Sequence, residues 1–432
     1  MEPKRVLLIC YYWPPAGGPG VQRWLKFVKY FREFGVDPVV FVPENPHYPM
    51  IDESFAAEVP SEVEILKLPI KEPYRFATWF SRKKTKAMSS GIISEKNPSL
   101  LEKLLLFVRG NLFIPDARIG WVKPAVAYLK KYLDDSDIQT VITTGPPHSL
   151  HLIGKRLQAD LGLQWIADFR DPWTTIHYHR SLRLTRASRE KHKRMEREVL
   201  TLADAIVVTS PNTKKEFSEI TNTPITVITN GFDASEIFER VPDDTFTLVH
   251  VGSLLSNRNP IPLWKVLSEL CTERTDFKDA LSIKLVGAVG DEIKESLQEF
   301  ELKELASIPG YVSHSEALKI QQNAQVLLLI EMDRPETAAI IPGKLFEYLK
   351  ARRPIIAMGP EGSDISAIIE ETESGRFFGY RDEKILKEQI LSYFHSYLTH
   401  NLNEGSRGAI EKYSRRELTG RMAQLIKNLQ ST

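Results

Sequence analysis

Short, almost wholly apolar runs alternate with amphipathic segments along most of this 432-residue chain. Runs such as PVVFV at residues 38–42 and QTVITT at 139–144 are typical of strands that are buried on both faces of a parallel sheet. Segments with helical periodicity, such as residues 21–34, separate one run from the next. The alternation predicts an α/β protein with two doubly wound parallel sheets.

The alternation stops near residues 233–245, which are acidic and contain proline. We therefore predict an N-terminal Rossmann-like domain at residues 1–236 and a C-terminal one at residues 237–405. A helix at residues 406–432 is expected to cross back to the first domain. Because ligands bind beyond the carboxyl ends of parallel strands, the two domains are expected to face each other across a cleft.

Charge and cysteine content narrow the functional classes. Lys and Arg number 57 and Asp and Glu 56, so the net charge is only +1, but residues 1–236 carry six positive charges in excess. The two cysteines, Cys10 and Cys271, suggest no disulfide framework and favour a reducing, cytoplasmic compartment. No apolar run approaches the roughly 18 residues that a membrane span needs.

A basic and aromatic segment interrupts the first domain at about residues 71–118. Aromatic residues such as Trp79 and Phe80 lie beside basic ones such as Lys83. One interpretation is an insertion that packs on the core and keeps its charges in solvent. The other is a surface for an anionic membrane face or a lipid-linked acceptor. No nucleic-acid motif accompanies the segment, so nucleic acid is not an expected partner.

The stretch Arg5–Trp24 predicts a strand, a glycine loop and a helix. Gly17 and Gly18 allow close approach of a ligand to the backbone, although such a loop is as often a simple tight turn. Neither a dinucleotide fingerprint nor a Walker sequence is present, which disfavours NAD enzymes and P-loop NTPases. Arg23 and Trp24, just beyond the loop, are candidates for acceptor binding or for packing.

Two stretches of the second half have the residue types of a nucleotide site. Gly252 follows a strand and Arg258 lies near the next helix start, where a guanidinium suits a pyrophosphate. Gly343 opens a helix that carries Lys344 and Glu347 on one face, suited to a phosphate and to ribose hydroxyls. The alternatives are a solvated loop arginine and a weak surface ion pair.

Polar groups also follow two strands of the first half. His148 comes after one, and Asp168, Arg170 and Asp171 lie at the end of the next. The catalytic candidates are His148, which would hydrogen-bond a hydroxyl of the donor sugar, and Asp168 and Asp171, of which a carboxylate would orient an acceptor hydroxyl. Arg170 would bind an anionic part of the acceptor. The alternatives are a packing or capping role for His148 and an internal ion-pair cluster for the charged residues.

Several motifs in chain order resemble those of GT-B-fold glycosyltransferases of the family 4-like group. The matching stretches are Ala16-Gly17-Gly18, Asn230-Gly231-Phe232-Asp233, Val251-Gly252-Ser253-Leu254, Arg258-Asn259, Gly310-Tyr311-Val312-Ser313-His314, and Glu347 with Pro354. The resemblance spans nearly the whole chain. It departs from the family at Ser253, which stands where the family has arginine, and at Ala339, which stands where it has its first glutamate.

The resemblance implies a GT-B fold and a retaining, metal-independent transferase without a cofactor. In the family, residues at these positions bind the donor. The donor-binding candidates are Gly17, Gly18, Gly252, Arg258, Tyr311, Lys344 and Glu347. The implied donor is a nucleotide-diphosphate sugar, and the implied acceptor is a saccharide or a lipid-linked group at the cytoplasmic membrane face, in polysaccharide or glycolipid synthesis. The alternatives are a degenerate subunit that assists a partner transferase and a nucleotide-sugar epimerase.

Overall fold

The computed structural model describes residues 3–72, 100–176, 179, 182–233, 241–401 and 404–430. Its contacts divide the chain into two units. Unit 1 comprises Met1–Thr229 with Arg415–Thr432, and unit 2 comprises Asn230–Ser414. The units therefore meet in sequence at Thr229–Asn230, a few residues before the predicted boundary at 236–237, and again at Ser414–Arg415.

Unit 1 alternates strands and helices, as the apolar pattern predicts. Its elements are β1 (Lys4–Ile9), α1 (Pro19–Phe31), β2 (Val36–Pro43), β3 (Glu64–Leu68), α2 (Leu100–Leu112), α3 (Ile119–Asp134), β4 (Thr140–Gly145), α4 (Ser149–Leu161), β5 (Gln164–Phe169), α5 (Arg186–Leu202), β6 (Ala205–Val208), α6 (Pro211–Ser218) and β7 (Ile225–Val227).

The seven strands of unit 1 form one parallel sheet in the order β3-β2-β1-β4-β5-β6-β7. The strand order reverses direction at β1, which pairs with β2 on one side and β4 on the other. Such a switch point leaves a crevice at the carboxyl ends of the strands, where α/β proteins bind ligands. The glycine loop after β1 and the loop after β4 both lie at this edge.

Unit 2 repeats the scheme. Its elements are β8 (Phe246–Val251), α7 (Ile261–Glu273), α8 (Thr275–Ala280), β9 (Leu281–Val286), α9 (Asp291–Glu299), β10 (Ala306–Gly310), α10 (His314–Asn323), β11 (Val326–Ile330), α11 (Gly343–Ala351), β12 (Ile355–Met358), α12 (Asp364–Glu371), β13 (Gly375–Phe378), α13 (Glu383–Leu398) and α14 (Arg407–Glu411). The sheet is parallel in the order β10-β9-β8-β11-β12-β13, with its switch point at β8.

The last helix, α15 (Arg415–Gln430), belongs to unit 1. Its buried residues Leu418, Met422 and Ile426 join the cluster that contains Trp24 and Val28 of α1. Spacings of four residues place these three side chains on one face of α15. The helix therefore covers the outer face of α1 and completes the core of the first unit.

The predicted insertion at about residues 71–118 is described only in part, because residues 73–99 lie outside the described residues. Its two ends meet in a buried ion pair, in which Arg118 Nε lies 3.1 Å from Glu72 Oε1. The hydroxyl of Tyr11 and the backbone N–H of His47 also donate to the Glu72 carboxylate, at 2.8 and 2.7 Å. No helix in the described part of the chain is long and apolar enough to cross a bilayer.

Candidate active site

Glycines form the carboxyl edge of the second sheet. Gly252, Gly287 and Gly310 directly follow or end β8, β9 and β10, and all three have positive φ angles. A Cβ on Gly287 would lie 2.6 Å from the carbonyl oxygen of Gly252, so only glycine fits there. Backbone therefore replaces side chains at this edge and leaves room for a ligand.

Arg258 lies in a 3₁₀ turn, Ser256–Arg258, that follows β8. The N–H of Gly290 donates to the carbonyl of Leu254 at 2.9 Å, which fastens this loop to the loop after β9. The guanidinium Nη2 of Arg258 lies 3.1 Å from Oε2 of Glu331, the residue after β11. Arg258 is thus at the sheet edge, held by a carboxylate that is only 1% exposed.

Lys344 lies in the first turn of α11 and approaches the same edge. Its Nζ is 3.2 Å from Nε2 of His250, a fully buried residue of β8. His250 Nδ1 lies 2.9 Å from the carbonyl oxygen of Leu328, so Nδ1 is assigned the proton and Nε2 accepts from Lys344. The backbone of Gly252 passes beside the same ammonium group.

The protonation of this cluster departs from ordinary values. The pKa of Lys344 is lowered to about 8, chiefly by burial and also by the charge of Arg258, while Glu331 opposes the shift. Burial raises the pKa of Glu331, which Arg258 and Lys344 partly offset. Burial and then Lys344 lower the pKa of His250 well below its usual range. Two cations, one carboxylate and one neutral imidazole therefore share the edge of the sheet.

Glu347 follows Lys344 by one turn of α11. Its Oε2 accepts a hydrogen bond of 3.0 Å from Nε2 of Gln321 in α10. The hydrogen bond of Glu347 is therefore to Gln321 and not to Lys344, the partner that the surface-pair alternative predicts. Tyr311, directly after β10, is 82% exposed and so has its ring open to a ligand. Their donor-binding roles remain predictions.

In unit 1 the glycine loop after β1 is joined to the loop after β2. The N–H of Gly17 donates to the carbonyl of Met50 at 3.0 Å, and the N–H of Asp52 donates to that of Pro15 at 2.8 Å. Gly18 has a φ of 96° and immediately precedes α1. The loop is thus a fixed wall at the sheet edge, and the predicted donor contacts of Gly17 and Gly18 remain predictions.

Asp168 is the centre of a buried network. It is inaccessible to solvent, and its carboxylate accepts from Arg23 Nη2 at 2.8 Å, Trp24 Nε1 at 2.9 Å and Thr144 Oγ1 at 2.8 Å. Burial alone would raise the pKa of Asp168, but the charge of Arg23 and these hydrogen bonds hold it below its ordinary value. Arg23 also donates to the carbonyl of Thr229 at 2.9 Å.

The buried network favours structural roles for Arg23, Trp24 and Asp168 over the predicted contacts with substrates. Arg23 and Trp24 are 2% and 0% exposed, which favours the packing alternative over direct contact with an acceptor. Asp168 likewise has the geometry of the internal ion-pair alternative. Because its oxygens already bind three donors, we assign Asp168, Arg23 and Trp24 a role in holding the sheet edge together.

His148 is buried among aromatic rings just before α4. Its imidazole stacks on Trp173, with centroids 4.9 Å apart and planes at 4°, and it makes no capping hydrogen bond. Within the described residues neither ring nitrogen has a hydrogen-bond partner. Burial, reinforced by His151, lowers its pKa well below the usual range, so the ring is neutral.

Arg170 and Asp171 follow β5. Arg170 Nη2 donates to the carbonyl of Pro146, and its guanidinium lies 5.9 Å from the ring centroid of Tyr12. Gly20 has no Cβ, and one would collide with this guanidinium, so the glycine loop makes room for Arg170. Asp171 is half-buried. The structure thus brings Arg170 close to the glycine loop, and the predicted acceptor contact of Arg170 and catalytic role of Asp171 remain predictions.

Two residues of the cluster were missed by the sequence analysis, namely Glu331 and His250. Glu331 is the first charged residue after the apolar run of β11, and a charge at that place was a usable signal. His250 stands inside an apolar strand, where its contact with Lys344 depends on packing between β8 and α11. No sequence pattern indicates that contact.

Residues 92–236 match the family described as Glycosyltransferase Family 4. No curated protein matches the chain in sequence. Among solved structures the chain is similar to sucrose-phosphate synthase from Thermosynechococcus elongatus, with 16% identity, 99% coverage of each chain and a TM-score of 0.62. It is also similar to the lipopolysaccharide outer core galactosyltransferase WaaB, with 12% identity, coverage of 98% and 99% and a TM-score of 0.58.

A third similar structure is Anabaena HepE in complex with UDP, with 12% identity, coverage of 98% and 100% and a TM-score of 0.57. At these identities the likeness concerns the fold. The predicted architecture, GT-B with two Rossmann-like domains, is confirmed by these structures and by the two parallel sheets.

Proposed function

We propose that this chain, a glycosyltransferase of GT-B fold, transfers a sugar from a nucleotide-diphosphate donor to a saccharide or lipid-linked acceptor. The proposed setting is polysaccharide or glycolipid synthesis at the cytoplasmic membrane face. The observation that carries the proposal is the meeting of Arg258 and Lys344 at the glycine-lined edge of the second sheet. Two cations beside open backbone suit a diphosphate.

The donor would lie along this edge with its diphosphate at Arg258 and Lys344. Glu347, one turn further along α11, would accept hydrogen bonds from the ribose hydroxyls. The exposed ring of Tyr311 would contact the nucleoside. Stabilisation of the departing diphosphate by the two cations would supply much of the catalysis.

The reaction is proposed to retain the anomeric configuration, as the family resemblance implies. It is proposed to need no metal, because the two cations would stabilise the leaving group. Chelation by EDTA would then leave turnover unchanged. Loss of turnover in EDTA, restored by a divalent cation, would contradict the metal-independent mechanism. His148 is proposed to hydrogen-bond a hydroxyl of the donor sugar, Asp171 to orient an acceptor hydroxyl, and Arg170 to bind an anionic part of the acceptor.

The donor is tested by titrating the protein calorimetrically with UDP-, GDP- and ADP-sugars. We expect one nucleotide class to bind, and Arg258→Ala and Glu347→Ala each to weaken its binding by about tenfold or more. Glu295→Gln, a change at an exposed residue of α9, is the matched control. Wild-type affinity in both site variants would refute the donor site.

Ser253 and Ala339 favour a second candidate, a donor-binding subunit that assists a partner transferase. It differs from the first in turnover, because a degenerate site binds nucleotide sugars without hydrolysing or transferring them. Analysis of the products also distinguishes the epimerase alternative, which would return an epimerised nucleotide sugar. Slow release of free sugar and nucleoside diphosphate would support the transferase.

Contact with an anionic membrane is supported by α2 and α5 of unit 1. Leu104, Phe107 and Leu112 of α2 are 57%, 41% and 71% exposed. The two helices are joined where the N–H of Thr185, just before α5, donates to Asn111 Oδ1 at 2.8 Å. The exposed basic residues of α5 are Arg186, Arg189, Lys191, Lys193, Arg194 and Arg197. Exposed apolar side chains on one helix and exposed basic ones on a helix joined to it are features of an interfacial surface.

Co-sedimentation with vesicles tests this surface. We expect binding to phosphatidylglycerol vesicles that weakens with salt, and little binding to phosphatidylcholine. The double variant Leu104→Ser with Phe107→Ser should release the protein, whereas Leu398→Ser, an exposed leucine of unit 2, should not. Binding that ignores lipid charge and salt would count against the membrane role.

A further inference from the structure

Each of the two cations at the edge of the second sheet is held by one buried side chain. Arg258 Nη2 lies 3.1 Å from Glu331 Oε2, and within the described residues the guanidinium has no other recorded ion-pair partner. Lys344 Nζ lies 3.2 Å from His250 Nε2. Arg258 is close enough to lower the pKa of Lys344. Two like charges so near each other need fixed partners to keep their positions.

Glu331 is a rigid anchor for Arg258. Its own N–H donates to the carbonyl of Met358 at 2.8 Å, and its carbonyl accepts from the hydroxyl of Tyr380 at 2.8 Å. The carboxylate is nearly inaccessible, yet neither oxygen accepts a well-aligned hydrogen bond from the described residues. Burying a carboxylate with so few hydrogen bonds costs folding free energy. The presence of Glu331 at this place is therefore not explained by a contribution to stability.

His250 is the corresponding anchor for Lys344. Its Nδ1 is engaged by the carbonyl of Leu328, which leaves the Nε2 lone pair directed at the ammonium group. The hydroxyl of Tyr348 accepts from the N–H of Val251, the next residue of the strand, at 2.9 Å. The imidazole is therefore fixed in orientation and adds no positive charge to the site.

We propose that Glu331 and His250 are positioning residues of the diphosphate site, each fixing one cation at the place where the donor's phosphates bind. This inference rests on the proposed function. Glu331 also offsets one of the two positive charges in the empty site, so the cations can stay together before the donor arrives. The positive charge that remains would attract the diphosphate of the donor.

The direction in which anion affinity changes when Glu331 is removed distinguishes a positioning role from simple charge repulsion. Removing a carboxylate beside an anion site strengthens anion binding if charge alone matters, because the carboxylate repels the ligand. Removing it weakens binding if the carboxylate fixes the arginine. We therefore expect Glu331→Ala to weaken the binding of inorganic pyrophosphate and of UDP, GDP or ADP, by about tenfold for whichever binds. Glu331→Gln, which keeps one acceptor oxygen, should lose less.

Double-mutant cycles test whether each anchor acts through its cation. In the Arg258→Ala background, Glu331→Ala should cause no further loss of pyrophosphate affinity. In the Lys344→Ala background, His250→Gln should likewise add nothing, whereas alone it should weaken binding. Calorimetry gives the affinities, thermal unfolding confirms that each variant folds, and Glu295→Gln is the control. If the Glu331→Ala protein does not fold, the double-mutant cycle with Arg258→Ala is measured with Glu331→Gln instead.

The outcomes distinguish the two proposals. A wild-type protein that binds neither pyrophosphate nor any nucleoside diphosphate refutes the donor site and this inference with it. Wild-type binding with additive losses, unchanged affinity or tighter binding in Glu331→Ala overturns the positioning role alone. Losses that vanish in the cation-deleted backgrounds support it.

Discussion

At the scale of single residues, burial decides the chemistry of both units. Asp168 and Glu331 are both buried carboxylates at strand ends, but they differ in their partners. Asp168 accepts from three donors and its pKa is lowered despite burial, whereas Glu331 has one poorly aligned partner and a raised pKa. The first is a completed structural network, and the second belongs to the proposed diphosphate site.

Lys344 predicts a pH dependence of anion binding. Its pKa is lowered to about 8, chiefly by burial. Below that pH the ammonium form binds phosphate, and above it the neutral amine does not, so affinity for pyrophosphate should fall as pH rises through about 8. Calorimetry near that pH in buffers of different ionisation enthalpy should also detect proton uptake on binding. Equal affinity at about pH 7 and pH 9 would contradict the prediction.

Asp168→Asn is expected to destabilise unit 1 by about 3–5 kcal/mol, because it leaves Arg23 as an uncompensated buried cation. Urea unfolding followed by tryptophan fluorescence measures the change, since six of the seven tryptophans precede residue 229. The control Asp160→Asn breaks an exposed pair with Lys130 and should cost less than about 1 kcal/mol. Equal effects of the two variants would argue against the buried network.

At the scale of elements, the strands that are most deeply buried are the easiest to predict from the apolar pattern. The apolar pattern predicts the central strands of both sheets, and it also predicts β3 and β7, the edge strands of the first sheet. The two that it misses are β10 and β13, the edge strands of the second sheet. Ala306–Gly310 contains proline and is largely exposed, and Gly375–Phe378 has only four residues. Edge strands bury less surface, so their sequences carry a weaker periodic signal.

The ion pair Glu72–Arg118 closes the two ends of the segment that interrupts the first sheet. Glu72→Gln should destabilise unit 1 by about 3–5 kcal/mol, because it removes the buried carboxylate that is paired with the buried Arg118 guanidinium. The double variant Glu72→Gln with Arg118→Met should cost less than the sum of the single changes. Urea unfolding gives the cycle, and Glu53→Gln, at an exposed residue, is the control. Additive costs would show that the two side chains act independently.

At the scale of the whole molecule, the predicted enzyme class is confirmed, since a glycosyltransferase family domain coincides with a GT-B fold. Both units also contain buried histidines that are neutral. Burial lowers the pKa of His151 to about 3 and that of His179 to about 4 in unit 1. His250 of unit 2 is shifted in the same direction.

Acid should therefore destabilise the protein before its carboxylates titrate. These histidines have lower pKa values in the folded state than the ordinary value of about 6.5, so the unfolded chain binds more protons below that pH. Stability should decline as pH falls below about 6.5, and His151 alone should contribute about 2 kcal/mol of that loss at about pH 5. Urea unfolding of wild type and His151→Gln measures it. A free energy of unfolding that is constant between about pH 7 and pH 5 would disprove the prediction.

The sequence by itself determined the alternation of strands and helices and the positions of the loops that carry chemistry. It did so because apolar periodicity and glycines are local properties that the fold must satisfy. It also indicated Arg258, Lys344 and Glu347 as donor-binding candidates, and the structure places them on α11 and at the adjoining edge of the second sheet. Only the tertiary structure decided how these side chains are paired. Whether Asp168 faces a ligand or Arg23, and whether Lys344 meets His250, depends on packing between distant elements, which no local pattern encodes.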